Sequence, residues 1–407
     1  MSSEMKKSEQ SKNKMLKRVP ALRFPEFLEG KEWQEKQLYS VCQMKAGKFI
    51  SASKINTQYI EGLYPCYGGN GLRGFTCEYS HSGEYSLIGR QGALCGNVNF
   101  VIGRFYATEH AVVVSPNKKI NNNWLFYCLN KLNLNQYAIG QAQPGLSVNF
   151  LEKITIQIPE QEKEQQKIAD CLSSLDSVIS LQTQKIDALQ QYKNGLMQKL
   201  FPAKDEIVPE LRFDEFKNKP KWDKKELSQV SILVKEKKHI DNFTINNYVS
   251  TENIKPDFLG IDIASQLPLN CRVTTFNSGD ILISNIRPYL KKIWLADKSG
   301  GASNDVLVIR CKSNVSNVYL SFILKNDNFI NYVMSGAKGV KMPRGDINLI
   351  KKFTVTLPSV SEQKKIANFL SSLDELIAAE TQKLATLKTH KTGLMQQLFP
   401  AMDEVNA

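Results

Sequence analysis

The chain has 407 residues but only four histidines and eight cysteines, and no two cysteines stand as Cys-x-x-Cys. A zinc finger is excluded, because its tetrahedral ion needs thiolates or imidazoles at short paired spacing. No run approaches the roughly 20 consecutive apolar residues that span a bilayer. Residues 1–18 carry six Lys/Arg and two Glu without the apolar stretch a secretory signal needs. These absences predict a soluble, cytoplasmic protein with reduced thiols and a solvated basic tail. None of the fifteen prolines adjoins another, so the Asp/Asn-Pro-Pro-Tyr/Phe motif with which amino-methyltransferases hold a target nitrogen is missing.

Other chemistries fail on equally specific grounds. Gly47-Lys48 is followed by Phe49 and preceded five residues earlier by Cys42, so there is no phosphate-binding Gly-x-x-x-x-Gly-Lys-Ser/Thr loop. Gly69-Asn-Gly71-Leu-Arg-Gly74 matches a dinucleotide-binding pattern literally, but Phe75-Thr-Cys-Glu-Tyr79 does not open a helix, and the stretch reads as a turn or adaptable loop. A metal nuclease built on Pro-Asp and Glu/Asp-x-Lys is poorly supported: after Pro256-Asp257 the first such triplet is Glu362-Gln-Lys364, which opens a long helix. His81 and His110 stand in no legible nucleophile pattern and read as surface or hydrogen-bonded histidines.

What is present is a repeat. Val19-Pro-Ala-Leu-Arg-Phe24, with Phe27, Trp33, Leu38 and Val41, returns as Val208-Pro-Glu-Leu-Arg-Phe213, with Phe216, Trp222, Leu227 and Val230. Leu172-Ser-Ser-Leu-Asp176 returns as Leu370-Ser-Ser-Leu-Asp374, and Leu200-Phe-Pro-Ala203 as Leu398-Phe-Pro-Ala401. Between these blocks only a faint frame is common: Ser82-Gly-Glu84 with Ser278-Gly-Asp280, Ala111–Val114 with Val306–Ile309, and Trp124 with Tyr319. The chain therefore alternates variable and shared segments.

The shared segments carry a coiled-coil seam. Ile168, Leu172, Leu175, Ile179, Gln182, Ile186, Leu189, Lys193, Leu196 and Leu200 alternate steps of four and three. Ile366, Leu370, Leu373, Ile377, Glu380, Leu384, Leu387, Lys391, Leu394 and Leu398 repeat the pattern with polar residues at the same two places. Each run follows a proline, Pro159 or Pro358, and stops at Pro202 or Pro400. Two helices of about 35–40 residues follow, each roughly 50–60 Å long at 1.5 Å per residue. They are expected to pair antiparallel as a rod of approximate twofold symmetry. The polar seam residues either fix register or sit at solvent-facing positions.

The expected fold is α/β (α+β). It comprises a basic tail (1–18), a first globular domain (19–158), a long helix (159–203), a second globular domain (204–357), a second long helix (358–401) and a short C-terminal tail (402–407). Strand-like runs at 85–88, 111–114, 154–158, 281–283, 306–309 and 353–357 and amphipathic helices over 121–135 and 316–333 give each globular domain a strand-dominated core. The formal net charge is +13, with +4 in residues 19–159 and +7 in residues 201–357, while the long helices are close to neutral. A positive field on the globular regions favours phosphate partners, although surplus lysine also serves solubility.

Together, the variable–shared alternation, Pro20-Ala-Leu-Arg-Phe24 with its copy, Tyr64-Pro-Cys-Tyr-Gly-Gly-Asn-Gly71, and Ile168-Ala-Asp-Cys-Leu-Ser-Ser-Leu-Asp176 with its copy resemble the specificity subunits of type I restriction-modification systems over nearly the whole chain. The resemblance implies a non-catalytic chain. Its globular regions would be target recognition domains, each reading half of a split, asymmetric site in double-stranded DNA. The paired helices would set the spacing and dock two methyltransferase subunits and, where the system restricts, two translocase-nuclease subunits. S-adenosylmethionine, and ATP with Mg, would be cofactors of those partners, with none in this chain. The alternatives are a methylation-only or related multisubunit system, a single-chain DNA-modifying enzyme, and a coiled-coil spacer.

No family motif fixes base contacts, so the candidates rest on side-chain chemistry in loops: Arg, Asn, Gln and Lys read base edges, while Lys, Arg and Ser hold phosphates. They are Tyr67, Asn70, Arg73, Arg90, Gln91, Arg104 and Tyr106 in the first region, and Asn285, Arg287, Tyr289, Lys291, Lys341 and Arg344 in the second. Arg90 and Arg287 stand out because both follow the strand after the shared Ser-Gly-Glu/Asp turn, although their local alignment is offset by one residue. No metal site is expected.

Overall fold

In a computed structural model, residues 19–140, 144–203 and 206–400 are described; the expected tails 1–18 and 402–407 lie outside them. The chain forms two compact units, one of residues up to Gln184 together with those from Gln382 onward, the other Lys185–Thr381. The division cuts through both long helices, and the packing explains why.

In the first unit, β1 (Gln34–Gln37) pairs with β8 (Thr155–Ile158), and a six-stranded sheet runs in the order β2 (Cys42–Ala46), β7 (Ala111–Pro116), β5 (His81–Gly89), β6 (Val98–Ala107), β3 (Tyr64–Gly68), β4 (Gly71–Thr76). Helix α1 (Asn122–Lys131) packs on it, capped by Asn121, whose side chain accepts from the Trp124 amide at 2.9 Å. In the second unit, β9 (Asp223–Glu226) pairs with β18 (Thr354–Leu357). One four-stranded sheet holds β10 (Ser231–Leu233), β17 (Val306–Cys311), β14 (Ile281–Ser284) and β15 (Ile293–Leu295). The other holds β11 (Lys237–His239), β13 (Arg272–Phe276), β16 (Gly300–Ala302) and β12 (Tyr248–Val249).

The order β2-β7-β5-β6 is echoed by β10-β17-β14-β15, with Ser86 opposite Val114 and Ile281 opposite Ile309. Sequence positions in this frame differ by 195. The expected match of Ser82-Gly-Glu84 to Ser278-Gly-Asp280 is therefore one residue out of step: Asn122 Nδ2 donates to the Glu84 carbonyl and Asn317 Nδ2 to the Gly279 carbonyl. The expected helix over 316–333 is two, α3 (Asn317–Leu324) and α4 (Asp327–Ser335). Asn326 ends the first run by leaving helical geometry and capping the second, its side chain accepting from the Asn328 amide.

Long helices α2 (Glu162–Leu200) and α5 (Val360–Leu398) each run 39 residues. The first-unit core joins Trp33, Trp124, Ile168 and Leu172 to Leu398 and Phe399, whereas the second-unit core joins Trp222, Tyr319, Ile366 and Leu370 to Leu200 and Phe201. Each core thus takes the start of one helix and the end of the other, and within each unit the two segments run antiparallel. Every seam position, including Gln182, Lys193, Glu380 and Lys391, is buried or half-buried.

A buried carboxylate fastens each helix start. Glu164 accepts from Arg23 at 2.7 and 2.8 Å and from the Trp33 indole at 3.1 Å; Glu362 accepts from Arg212 at 2.7 and 2.8 Å and from Trp222 at 3.3 Å. The next residue, Gln165 or Gln363, accepts from the amide of Asn121 or Ser316, tying the long helix to the cap of α1 or α3. Glu362-Gln-Lys364 is thus structural, with Glu362 only 1% exposed.

Candidate nucleic-acid interface

Both units build the same two-loop clasp from main-chain hydrogen bonds. In the first, Arg90 N donates to His110 O, Gly92 N to Pro144 O and Leu146 N to Arg90 O, while Ile139 and Gly145 exchange both their bonds. In the second, Asn285 N donates to Asp305 O, Arg287 N to Pro343 O and Gly345 N to Asn285 O, while Lys338 and Arg344 exchange theirs. The bonds superimpose Arg90 on Asn285, Gln91 on Ile286, Gly92 on Arg287, His110 on Asp305 and Gly145 on Arg344. Arg90 and Arg287, one residue out of step in the sequence frame, thus stand two positions apart in the bonded frame. A loop after a strand can carry any side chain outward when its backbone is satisfied by another backbone.

In the first unit the Gly69-Asn70 turn joins β3 to β4, so the literal dinucleotide motif is a hairpin. Gly69 lies where a Cβ would stand 2.4 Å from Gln91 O, and a Cβ on Gly89 would stand 2.0 Å from Gly69 O. Glycine is required there because the turn packs backbone to backbone against the clasp. The result is a cleft of about 330 Å³ lined by Asn70, Arg73, Gln91 and His110. A second cleft, of about 360 Å³, is lined by Arg90, Gln91, Tyr137, Ile139 and Ser147. Four candidates, Asn70, Arg73, Arg90 and Gln91, are thus brought together.

Three others are not. Tyr67 is half-buried, its ring edge-on to Phe105 at 6.0 Å, and burial pushes its phenol up. Tyr106 is 7% exposed and donates to the Phe49 carbonyl, which makes it a core residue. Arg104 is exposed at the other end of β3 from the turn, with its guanidinium over the Tyr79 ring at 5.1 Å and hydrogen-bonded to Tyr64.

In the second unit the candidates gather on one clasp. Arg287 and Lys291 adopt left-handed backbone at φ 50° and 55°, bracketing a 3₁₀ turn that leaves Tyr289 49% exposed. Two non-glycine residues held there are stored strain of the kind found at functional sites. Lys291 pairs with Asp327 at 2.7 Å and Arg344 with Asp305 at 3.0 Å, while Lys341 is exposed at the tip of the 338–344 hairpin. Asn285 Oδ1 is buried without a protein partner.

Sequence reasoning named Lys341 and Arg344 of the second clasp but not Ile139, Gly145 and Ser147 of the first, and it read His110 as an ordinary surface or hydrogen-bonded histidine without its counterpart Asp305. A signal existed: Pro144-Gly-Leu-Ser147 and Pro343-Arg-Gly-Asp346 stand in step at a spacing of 199, and Ser147 and Asp346 each cap a short helix. Elsewhere, burial raises the thiols of Cys42 and Cys311 to about 12, so neither is an activated nucleophile. Among the described residues no group of three or more His, Cys, Asp or Glu gathers to hold a metal, and no helix is long and apolar enough to cross a membrane.

Comparison with known proteins agrees with this doubled architecture. The S subunit of a type I restriction-modification system from M. genitalium shares the fold, with a TM-score of 0.64 at 16% identity over 95% of this chain and 100% of that one. The EcoDI type I restriction enzyme specificity subunit of Escherichia coli is 23% identical over 382 residues, 84% of this chain and 81% of that protein. The EcoprrI specificity subunit of Escherichia coli is 50% identical over 148 residues, 36% of this chain; the alignment spans only 37% of that protein's length. The family described as type I restriction modification DNA specificity domain matches twice, over residues 30–191 and 219–389. A duplicated match covering most of the residues, on a duplicated frame, places the chain in the family of type I restriction-modification specificity subunits.

Proposed function

We propose that the chain is the non-catalytic DNA-reading subunit of a cytoplasmic type I restriction-modification assembly, each unit reading one half of a bipartite, asymmetric duplex site. One observation carries the reading: the two clasps have the same backbone but different side chains, half-buried Arg90, Gln91 and His110 in one, half-buried Asn285 with exposed Arg287 and Arg344 in the other. A shared scaffold with divergent Arg, Asn and Gln suits two different sets of base edges, and the net charge of +13 suits phosphate. The long helices would set the distance between half-sites and dock two methyltransferase subunits using S-adenosylmethionine. Where the system restricts, two translocase-nuclease subunits using ATP and Mg complete it.

Methylome sequencing of the host with and without this gene tests the proposal. Loss of one split, asymmetric adenine-methylation motif in the deletion is the expected result. An unchanged methylome in a host expressing the modification subunits overturns it.

A further inference from the structure

The two lysines of the seam follow a pattern with a consequence for assembly. Lys391 of α5 pairs with Asp176 of α2 in the first unit, and Lys193 of α2 pairs with Asp374 of α5 in the second. In the repeat, Asp176 is equivalent to Asp374 and Lys193 to Lys391, so each helix carries its aspartate in the first half and its lysine in the second. Neither pair lies free on the surface: all four side chains are between 19% and 46% exposed. Each lysine also covers a ring of the adjoining globular region, Lys391 over Tyr127 at 5.3 Å and Lys193 over Phe322 at 5.4 Å. The Tyr127 hydroxyl donates to Asp176 at 2.7 Å. Phe322 has no hydroxyl, and there Lys325 faces Asp374, with burial lowering the lysine and the aspartate supporting its charge.

We infer that Asp176, Lys193, Asp374 and Lys391 are positioning residues that encode the antiparallel sense of the helix pair and seat each recognition region on it. Outside the two ends that enter the globular cores, the apolar seam cannot do this, because a row of Leu and Ile at 3.5-residue spacing accepts either direction. The charges can. An in-register parallel pairing brings Lys193 to the level of Lys391, and Asp176 to the level of Asp374 about 25 Å away. Both levels then oppose like charges at partly desolvated positions, where Coulomb terms exceed those of exposed pairs. Antiparallel pairing turns both levels into attractive pairs, each completed by an aromatic ring. This inference rests on the ion pairs of the long helices and the rings beside them, and survives if the DNA reading fails.

The test keeps composition and net charge constant in the full chain. Exchanging the charges on α2 alone (D176K with K193D) opposes Lys to Lys and Asp to Asp in the antiparallel pair. Exchanging them on both helices (adding D374K with K391D) restores two attractive pairs with every sign reversed. The one-helix exchange is expected to lower the thermal midpoint by roughly 5–10 °C or to prevent folding, and the two-helix exchange to recover more than half of that loss. A one-helix exchange within about 2 °C of the parent, or a two-helix exchange no better than the one-helix exchange, overturns the inference. Methylation of the split site, read on the same variants, reports separately on recognition: a parent chain that directs none refutes the DNA reading without touching the charge code.

Discussion

Replacing Glu164 by Gln tests how the helix start is held. The carboxylate is 2% exposed and the Arg23 guanidinium 6%. Besides the two bonds to Glu164, Arg23 donates to the carbonyls of Gly30 and Lys31 at 3.0 Å each, and Trp33 places its indole N–H on the same carboxylate. Glutamine keeps the volume but removes the charge and one acceptor oxygen, leaving a guanidinium desolvated without its counter-ion. Breaking a buried pair by removing one partner costs about 3–5 kcal/mol. In a unit of this size about 2–4 °C accompanies each kcal/mol, so the midpoint should fall by about 6–20 °C. Differential scanning calorimetry of the full chain measures it, and Glu362→Gln, facing Arg212 in the same geometry, should match within experimental scatter. Glu160→Gln is the control, because its pair with Lys31 is 42% and 79% exposed and worth at most about 1 kcal/mol. If Glu164→Gln shifts the midpoint no more than Glu160→Gln does, the buried clamp is not what fastens the helix.

Further outcomes follow from the same geometry. Arg90→Ala and Asn285→Ala should each relax methylation at a different half-site by about 10–100-fold, worth about 1–3 kcal/mol of base discrimination, while thermal midpoints stay put; relaxation of both half-sites by either variant would contradict separate reading. Gly69→Ala should blunt recognition of the first half-site, since its Cβ collides with the Gln91 carbonyl, and methylation of the second half-site pattern is the internal reference. Seven residues inserted in phase into both α2 and α5 should lengthen the tolerated spacer and leave the half-sites unchanged; an unaltered spacer in a selection experiment removes the ruler role. His81 stacks on Phe105, contacts Ser80 Oγ at 2.8 Å, and is held below its ordinary value of 6.5 by burial and Lys48. As pH falls below about 6.5 the unfolded chain takes up a proton that the folded chain resists. Stability should therefore decline on acidification, and less so in His81→Phe, as measured by urea midpoints at pH 7 and pH 5.

What was legible in the sequence was whatever repeats with a period. The seam positions alternate steps of four and three, and two copies of Leu-Arg-Phe and Leu-Ser-Ser-Leu-Asp gave away the duplication. The clamp was not legible, because nothing local distinguishes Glu164, which enters a core, from Glu162, which faces water. Its partner Arg23 lies 141 residues away. The sheet orders were hidden for the same reason: β3 joins β6 in parallel and β12 joins β16 in parallel, pairings that only tertiary packing specifies. Among the candidates, Asn70, Arg73, Arg90 and Gln91, chosen by side-chain chemistry, gather around one clasp. Tyr106 was misplaced because that end of its strand is buried on both faces, and the sequence frame set Arg90 one residue from Arg287 where the main-chain bonds match it to Asn285.

The two kinds of bond explain why one part of the repeat is shared and the other is not. Arg23, Trp33, Glu164, Gln165 and Leu172 have identical counterparts in Arg212, Trp222, Glu362, Gln363 and Leu370. Their contacts are made by side chains in buried places, where losing a partner strands a charge, a polar atom or a cavity. The clasps are held by amide-to-carbonyl bonds, which do not depend on the side chain. Gly145 and Arg344 can therefore occupy the same place in the same bonded frame, and so can Gly92 and Arg287, without altering it. Stability and the proposed reading are thus separated within one domain: the frame resists substitution where its side chains interlock, and the surface admits substitution where only its backbone does. A duplicated chain built this way can acquire a second specificity by changing outward residues of one clasp, at small cost to the fold that presents it.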